Sequence, residues 1–98
     1  MISLEYTRAI AEAQKLENAA ESCGKALTLI KKEIDESGSF WIGKSGDAMR
    51  SRLQESYAEI SKVKANFEEI AASIRKAAGE IKNKDASLAA GIAMRNFI

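Results

Sequence analysis

Ninety-eight residues with 15 Lys+Arg, 14 Asp+Glu and no histidine carry a net charge of +1; this is one domain, without the basic field that binding nucleic acid requires. A domain this small buries only a modest share of its surface and often depends on a partner. No segment approaches the roughly 20 consecutive apolar residues of a membrane span, and the single cysteine, Cys23, permits no intrachain disulfide.

The first element is a helix expected over about 3–37, with Ser3 as its cap. Its opening, MISLEYTRAIAEAQ, has no basic region followed by an apolar run and a small-residue cleavage site, so it does not read as a secretory signal peptide. Apolar residues fall at Ile2, Tyr6, Ala9, Ala13, Leu16, Ala20, Cys23, Leu27, Ile30 and Ile34, alternating steps of four and three. That is a heptad seam, and Cys23 on it is a small hydrophobe rather than a nucleophile. Beside the seam runs a second stripe, Ala19, Ser22, Ala26 and Leu29, which reads as a face for a partner. Gly24 costs about 1 kcal/mol against alanine in mid-helix, which either reflects close approach of another helix or is chance. Gly38 suits a left-handed position just past the helix end. Glu33, Asp35 and Glu36 sit at the unfavourable end of the helix dipole.

A turn over 38–44 follows, inside the stretch SGSFWIGKSGDAMR, and holds the only tryptophan, Trp41. The indole is placed to fold over the open end of the seam as a plug with its N–H near water. Gly43 then supplies either a positive φ or room for the ring.

The second helix is expected over about 45–84, with an extension to about 94 left open, and is opened by Ser45 and Asp47. Its seam reads Met49, Leu53, Ser56, Ile60, Val63, Phe67, Ile70, Ile74, Ala77 and Ile81, flanked by Tyr57, Ala71 and Ala78 as a further partner face. The chain has no proline to interrupt either helix. Helices of about 35 residues rise to roughly 50 Å, and a connector of about seven residues folds them into an antiparallel hairpin. Residues 1–43 hold five basic and seven acidic side chains, whereas 44–98 hold ten and seven. Halves of opposite sign attract weakly, which favours self-pairing into a four-helix bundle.

The tail begins with IKNKDASLAAGI, where Ile81, Leu88 and Ile92 share a helical face with Asp85 at its edge. That form suits docking in a groove with one polar anchor. Beyond it, Ile92, Met94, Phe97 and Ile98 are apolar, which a monomer would leave exposed.

A chain of about 100 residues with two heptad helices and Trp41-Ile42-Gly43 in a central turn, followed by KSGDAM, resembles the WXG100 (ESAT-6-like) family of type VII secretion substrates. The resemblance covers the whole chain. It implies an all-α helical hairpin exported as a folded dimer, with itself or a WXG100 paralogue as partner and an FtsK-like membrane ATPase as the motor. It further implies that Trp41 and Gly43 form half of an export signal, completed by the C-terminal end of the partner's second helix. The usual Y-x-x-x-[DE] element is missing, since Tyr6 is followed four later by Ile10 and Tyr57 by Ser61. In its place the tail is similar to an alternative family pattern that assigns Ile81, Asp85, Leu88 and Ile92.

Catalysis has no support: no histidine, no glycine-rich phosphate loop, a cysteine on the seam and carboxylates spread along helix exteriors. Neither a cofactor nor a metal set is indicated. The leading expectation is a secreted, non-enzymatic protein that is cytoplasmic before export and serves as substrate, co-substrate or secretion factor. The alternative is an intracellular coiled-coil adaptor with a coincidental W-x-G. Membrane insertion ranks last, because the seam commits its apolar residues to helix pairing.

Overall fold

The computed structural model describes residues 4–97, and side chains as far as Lys84 together with Ala86. Two helices, α1 (Leu4–Ser37) and α2 (Gly43–Phe97), pack side by side as a rod of 83 × 14 × 14 Å. At about 1.5 Å per residue, the 55 residues of α2 account for the full length of that rod. α2 thus runs past both expected ends, with no proline after Ile81 to stop it. It also begins at Gly43, two residues before Ser45, so Asp47 is no longer in its first turn. Ser3 and Ile2 lie outside the described residues.

The interior of the hairpin is built from small residues. Ala13 and Ala20 on α1 and Ala71 and Ala78 on α2 are the buried apolar side chains among the described residues, none more than 4% exposed. Alanine on both sides lets the helix axes approach at the close end of the range that helix packing allows. Tyr6, Leu16, Cys23, Leu27, Ile30 and Ile34 flank this line on α1, half-buried. The α1 seam therefore lies where its spacing puts it.

The α2 seam does not. Leu53, Ile60, Phe67 and Ile74 are half-buried against α1, but they alternate with Tyr57, Lys64, Ala71 and Ala78, not with Ser56, Val63, Ile70 and Ala77. The true contact line is turned by one residue, and the supposed partner face of Ala71 and Ala78 is the inside of the hairpin. With Ala13 and Ala20 buried on α1 and Ala71 and Ala78 buried on α2, small residues from both helices take the centre and let the helices close up. Val63 and Ile70 are displaced outward, 44% and 48% exposed. Gly24 also faces α2 of its own chain, where a Cβ would lie 3.3 Å from Lys64 Cε, a flexible neighbour.

Candidate functional site

The turn is built by backbone bonds that continue α1 in tightened form. Ser39 N–H donates to the Glu36 carbonyl at 3.2 Å, and the Phe40 and Trp41 N–H groups both donate to Ser37, at 3.3 and 2.7 Å. The Ser39 hydroxyl adds a bond to the Glu36 carbonyl at 2.8 Å. Among the described residues only Gly43 has a positive φ, +82°. Gly38 therefore does not take the left-handed position expected of it, because these bonds close α1 without one. Of the two roles open to Gly43, the structure assigns backbone freedom: a Cβ there would meet nothing within 4 Å, but it would be strained by the φ.

Trp41 is not a sealed plug. The residue is 40% exposed, and its ring meets Phe40 edge to face, centroids 6.5 Å apart at 76°. With Glu33, Ser37, Phe40, Met49 and Leu53 it lines a crevice of about 160 Å³. Phe40 and Ile42 are more exposed still, so the rod carries three consecutive large apolar side chains at its turn end.

The crevice also identifies one side of the hairpin. Stepping by seven from Glu33 gives Ala26 and Ala19 on α1; stepping from Met49 gives Ser56, Val63, Ile70 and Ala77 on α2. In an antiparallel pair such rows run along the same side. Ser22 and Leu29 sit one step further round α1, Leu29 at 64% exposure. The opposite side carries the ion pairs Arg75–Glu17 and Lys64–Glu68, with an open groove of about 290 Å³ bordered by Lys31, Ile34, Gln54 and Tyr57. The stripe Ala19, Ser22, Ala26 and Leu29 is thus only half of an apolar strip whose larger members, Val63 and Ile70, come from α2.

Of the tail residues, Ile81 lies on α2 partly exposed. The side chains of Asp85, Leu88, Ile92, Met94 and Phe97, and the whole of Ile98, lie outside the described residues. The sequence reading missed two residues at the turn, Gly46 and Arg50. A Cβ at Gly46 would clash with the carbonyl oxygen of Trp41, and Arg50 Nη1 donates to that same oxygen at 2.7 Å. Gly46 could have been found from its spacing to Trp41; Arg50 offers no such signal, since its acceptor is a backbone atom. Cys23 is half-buried on the seam. Among the described residues no helix is long and apolar enough to cross a membrane, and no group of carboxylates and thiols converges as a metal site.

No curated protein and no solved structure matches the chain. Comparison with known families matches residues 1–86 to WXG100, described as proteins of 100 residues with WXG. The match takes in both packed helices and the turn, and stops before Leu88 and Ile92. Members of that family are small non-enzymatic helical proteins secreted by type VII systems, and they generally pair with each other. On the hairpin, the Trp41-Ile42-Gly43 turn and this match together, the chain belongs to the WXG100 family.

Proposed function

We propose that this chain is a type VII substrate or secretion factor, exported as a folded homodimer in which two hairpins stack antiparallel into a four-helix bundle. The apolar strip carries the reading. A hairpin with no large side chain fully buried among its described residues, yet with Val63, Ile70, Met49 and Leu29 exposed along one side, has half a core. A second copy supplies the other half.

In an antiparallel stack, a two-fold axis crossing the rod sets α1 against α1 and α2 against α2, so the apolar strip, and not the charge split between the halves, carries this pairing. Ala19 and Ala26 then permit close approach on one half, while Val63 and Ile70 fill the other. With the axis midway between Val63 and Ile70, each meets the other across the interface. The same register sets Gly43 level with position 90 of the second copy's α2, between Leu88 and Ile92. Trp41 and Gly43 of one copy and Ile81, Asp85, Leu88 and Ile92 of the other would thereby form one composite surface for an FtsK-like ATPase to read.

The test is export of an Asp85→Ala, Leu88→Ala double variant, set beside its melting and its solution mass. Folded, dimeric protein retained in the cytoplasm supports the reading. Normal recovery from the medium contradicts the tail assignment and leaves Trp41 and Gly43 as the only signal residues.

A further inference from the structure

Trp41 carries its half-exposed ring on a backbone held at both its N–H and its carbonyl. Its N–H donates to the Ser37 carbonyl at the end of α1. Its carbonyl accepts from Arg50 Nη1 on α2, at 2.7 Å. The other terminal nitrogen of Arg50, Nη2, donates to the Asp47 carboxylate at 2.7 Å, one turn earlier on the same helix. Two arms of a planar fork are thus engaged at once, and the guanidinium cannot swing on its stem. The Arg50 side chain is largely covered although its helix face is at the surface.

Gly46 closes the arrangement. A Cβ at this position would overlap the Trp41 carbonyl oxygen and lie 2.6 Å from the carbonyl carbon and 3.3 Å from Trp41 Cβ. The backbone of α2 therefore presses directly on the Trp41 peptide, in a place only glycine can occupy without movement. The next residue in line, Gly43, takes the positive φ that turns the chain from this peptide into α2. Chain direction and peptide position are both fixed at Trp41, while its ring stays partly in solvent.

We infer that Gly46, Asp47 and Arg50 are positioning residues whose task is to fix the direction in which the Trp41 indole leaves the hairpin. They act through the Trp41 peptide and not by touching a receptor. Resting on the export reading above, the inference adds that the fixed pose is what the receptor recognises. A lysine in place of Arg50 keeps the charge but loses the planar fork, so it holds the pose less well than arginine and better than glutamine.

Trp41 is the only tryptophan in the chain, so its fluorescence reports on this turn alone. The experiment compares Trp41 anisotropy and acrylamide quenching in the full chain with Arg50→Gln, Arg50→Lys and Gly46→Ala, alongside helix content, melting and export. Arg50→Gln is expected to lower anisotropy, raise quenching and reduce export, with helix content kept and melting within a few degrees of the parent. Arg50→Lys should fall between the two. Gly46→Ala should shift Trp41 emission in the same direction as Arg50→Gln; if it does not fold, the Arg50 pair carries the test alone. Unchanged anisotropy and quenching in Arg50→Gln overturn the clamp. Changed fluorescence with normal export overturns the recognition of the pose. Normal export of Trp41→Ala would instead be a failure of the export reading itself, and the fluorescence of Arg50→Gln would still decide the clamp.

Discussion

Arg75 on α2 grips Glu17 on α1 with two nitrogens, Nε at 2.7 Å and Nη2 at 2.6 Å. The bidentate fork joins residues 58 apart in sequence and fixes the register of the hairpin on its charged side. Gln14 stands at the edge of the same cluster, 3.5 Å from Arg75 Nη2.

The pair gives hairpin stability a dependence on pH. Hydrogen bonding from Arg75 holds the Glu17 carboxyl below its ordinary value of 4.5, helped by the charge of the guanidinium and opposed by partial desolvation. A carboxylate whose folded pKa is depressed contributes in full above its unfolded value, and the contribution is lost as pH falls through the folded value. Melting temperature should therefore decline as pH is taken below about 4.5, and Glu17→Gln should flatten that decline while melting lower at neutral pH. Thermal melts of both chains across the acid range check this. Identical acid profiles would contradict it.

The one-residue turn of the α2 seam predicts opposite outcomes at adjacent positions. Ala71→Leu forces a large side chain into the alanine-lined interior and should cost about 1–3 kcal/mol of hairpin stability. Ile70→Ala should leave the hairpin itself intact and weaken pairing, raising the dimer dissociation constant. Chemical denaturation and sedimentation of each variant separate the cases. A tolerated Ala71→Leu beside a collapsed Ile70→Ala would restore the seam read from spacing alone.

Trp41→Ala should cost less than the roughly 3 kcal/mol at the low end for a buried tryptophan, because the residue is 40% exposed and borders an open crevice. Export should nevertheless fall sharply. Chemical denaturation and recovery from the medium, measured on the same variant, distinguish a presented ring from a plug. A large loss of stability with normal export would reverse the assignment.

Ala26→Glu and Val63→Glu each place a carboxylate on the apolar strip with no evident partner. An unpaired buried charge costs about 3–5 kcal/mol, a rise of roughly two to four orders of magnitude in dissociation constant. Both variants should run as monomers that retain most of their helix by circular dichroism. Dimers of unchanged affinity would place the interface elsewhere.

Much of the fold is legible in the sequence, and the exceptions share a cause. The α1 seam follows from its alternating steps because large and small apolar residues coincide there with the inward face. On α2, size misleads: Val63 and Ile70 outrank Ala71 and Ala78 as core candidates. The choice between them is made by Ala13 and Ala20, on the other helix. Volume matching across a helix pair is a relation between distant residues, and a periodic pattern within one segment does not contain it. The turn divides in the same way. Trp41 is conspicuous as the sole tryptophan, and the positive φ of Gly43 is one of two roles its position suggests. The hold of Arg50 on the Trp41 carbonyl is hidden because one arginine on a helix surface looks like any other until the backbone folds beneath it.

In the proposed assembly this hairpin is half of a four-helix bundle, completed by its own copy. Sedimentation equilibrium of the purified full chain at micromolar concentration should then give a single species of twice 10.7 kDa; a stable monomer of 10.7 kDa at that concentration would rule the homodimer out.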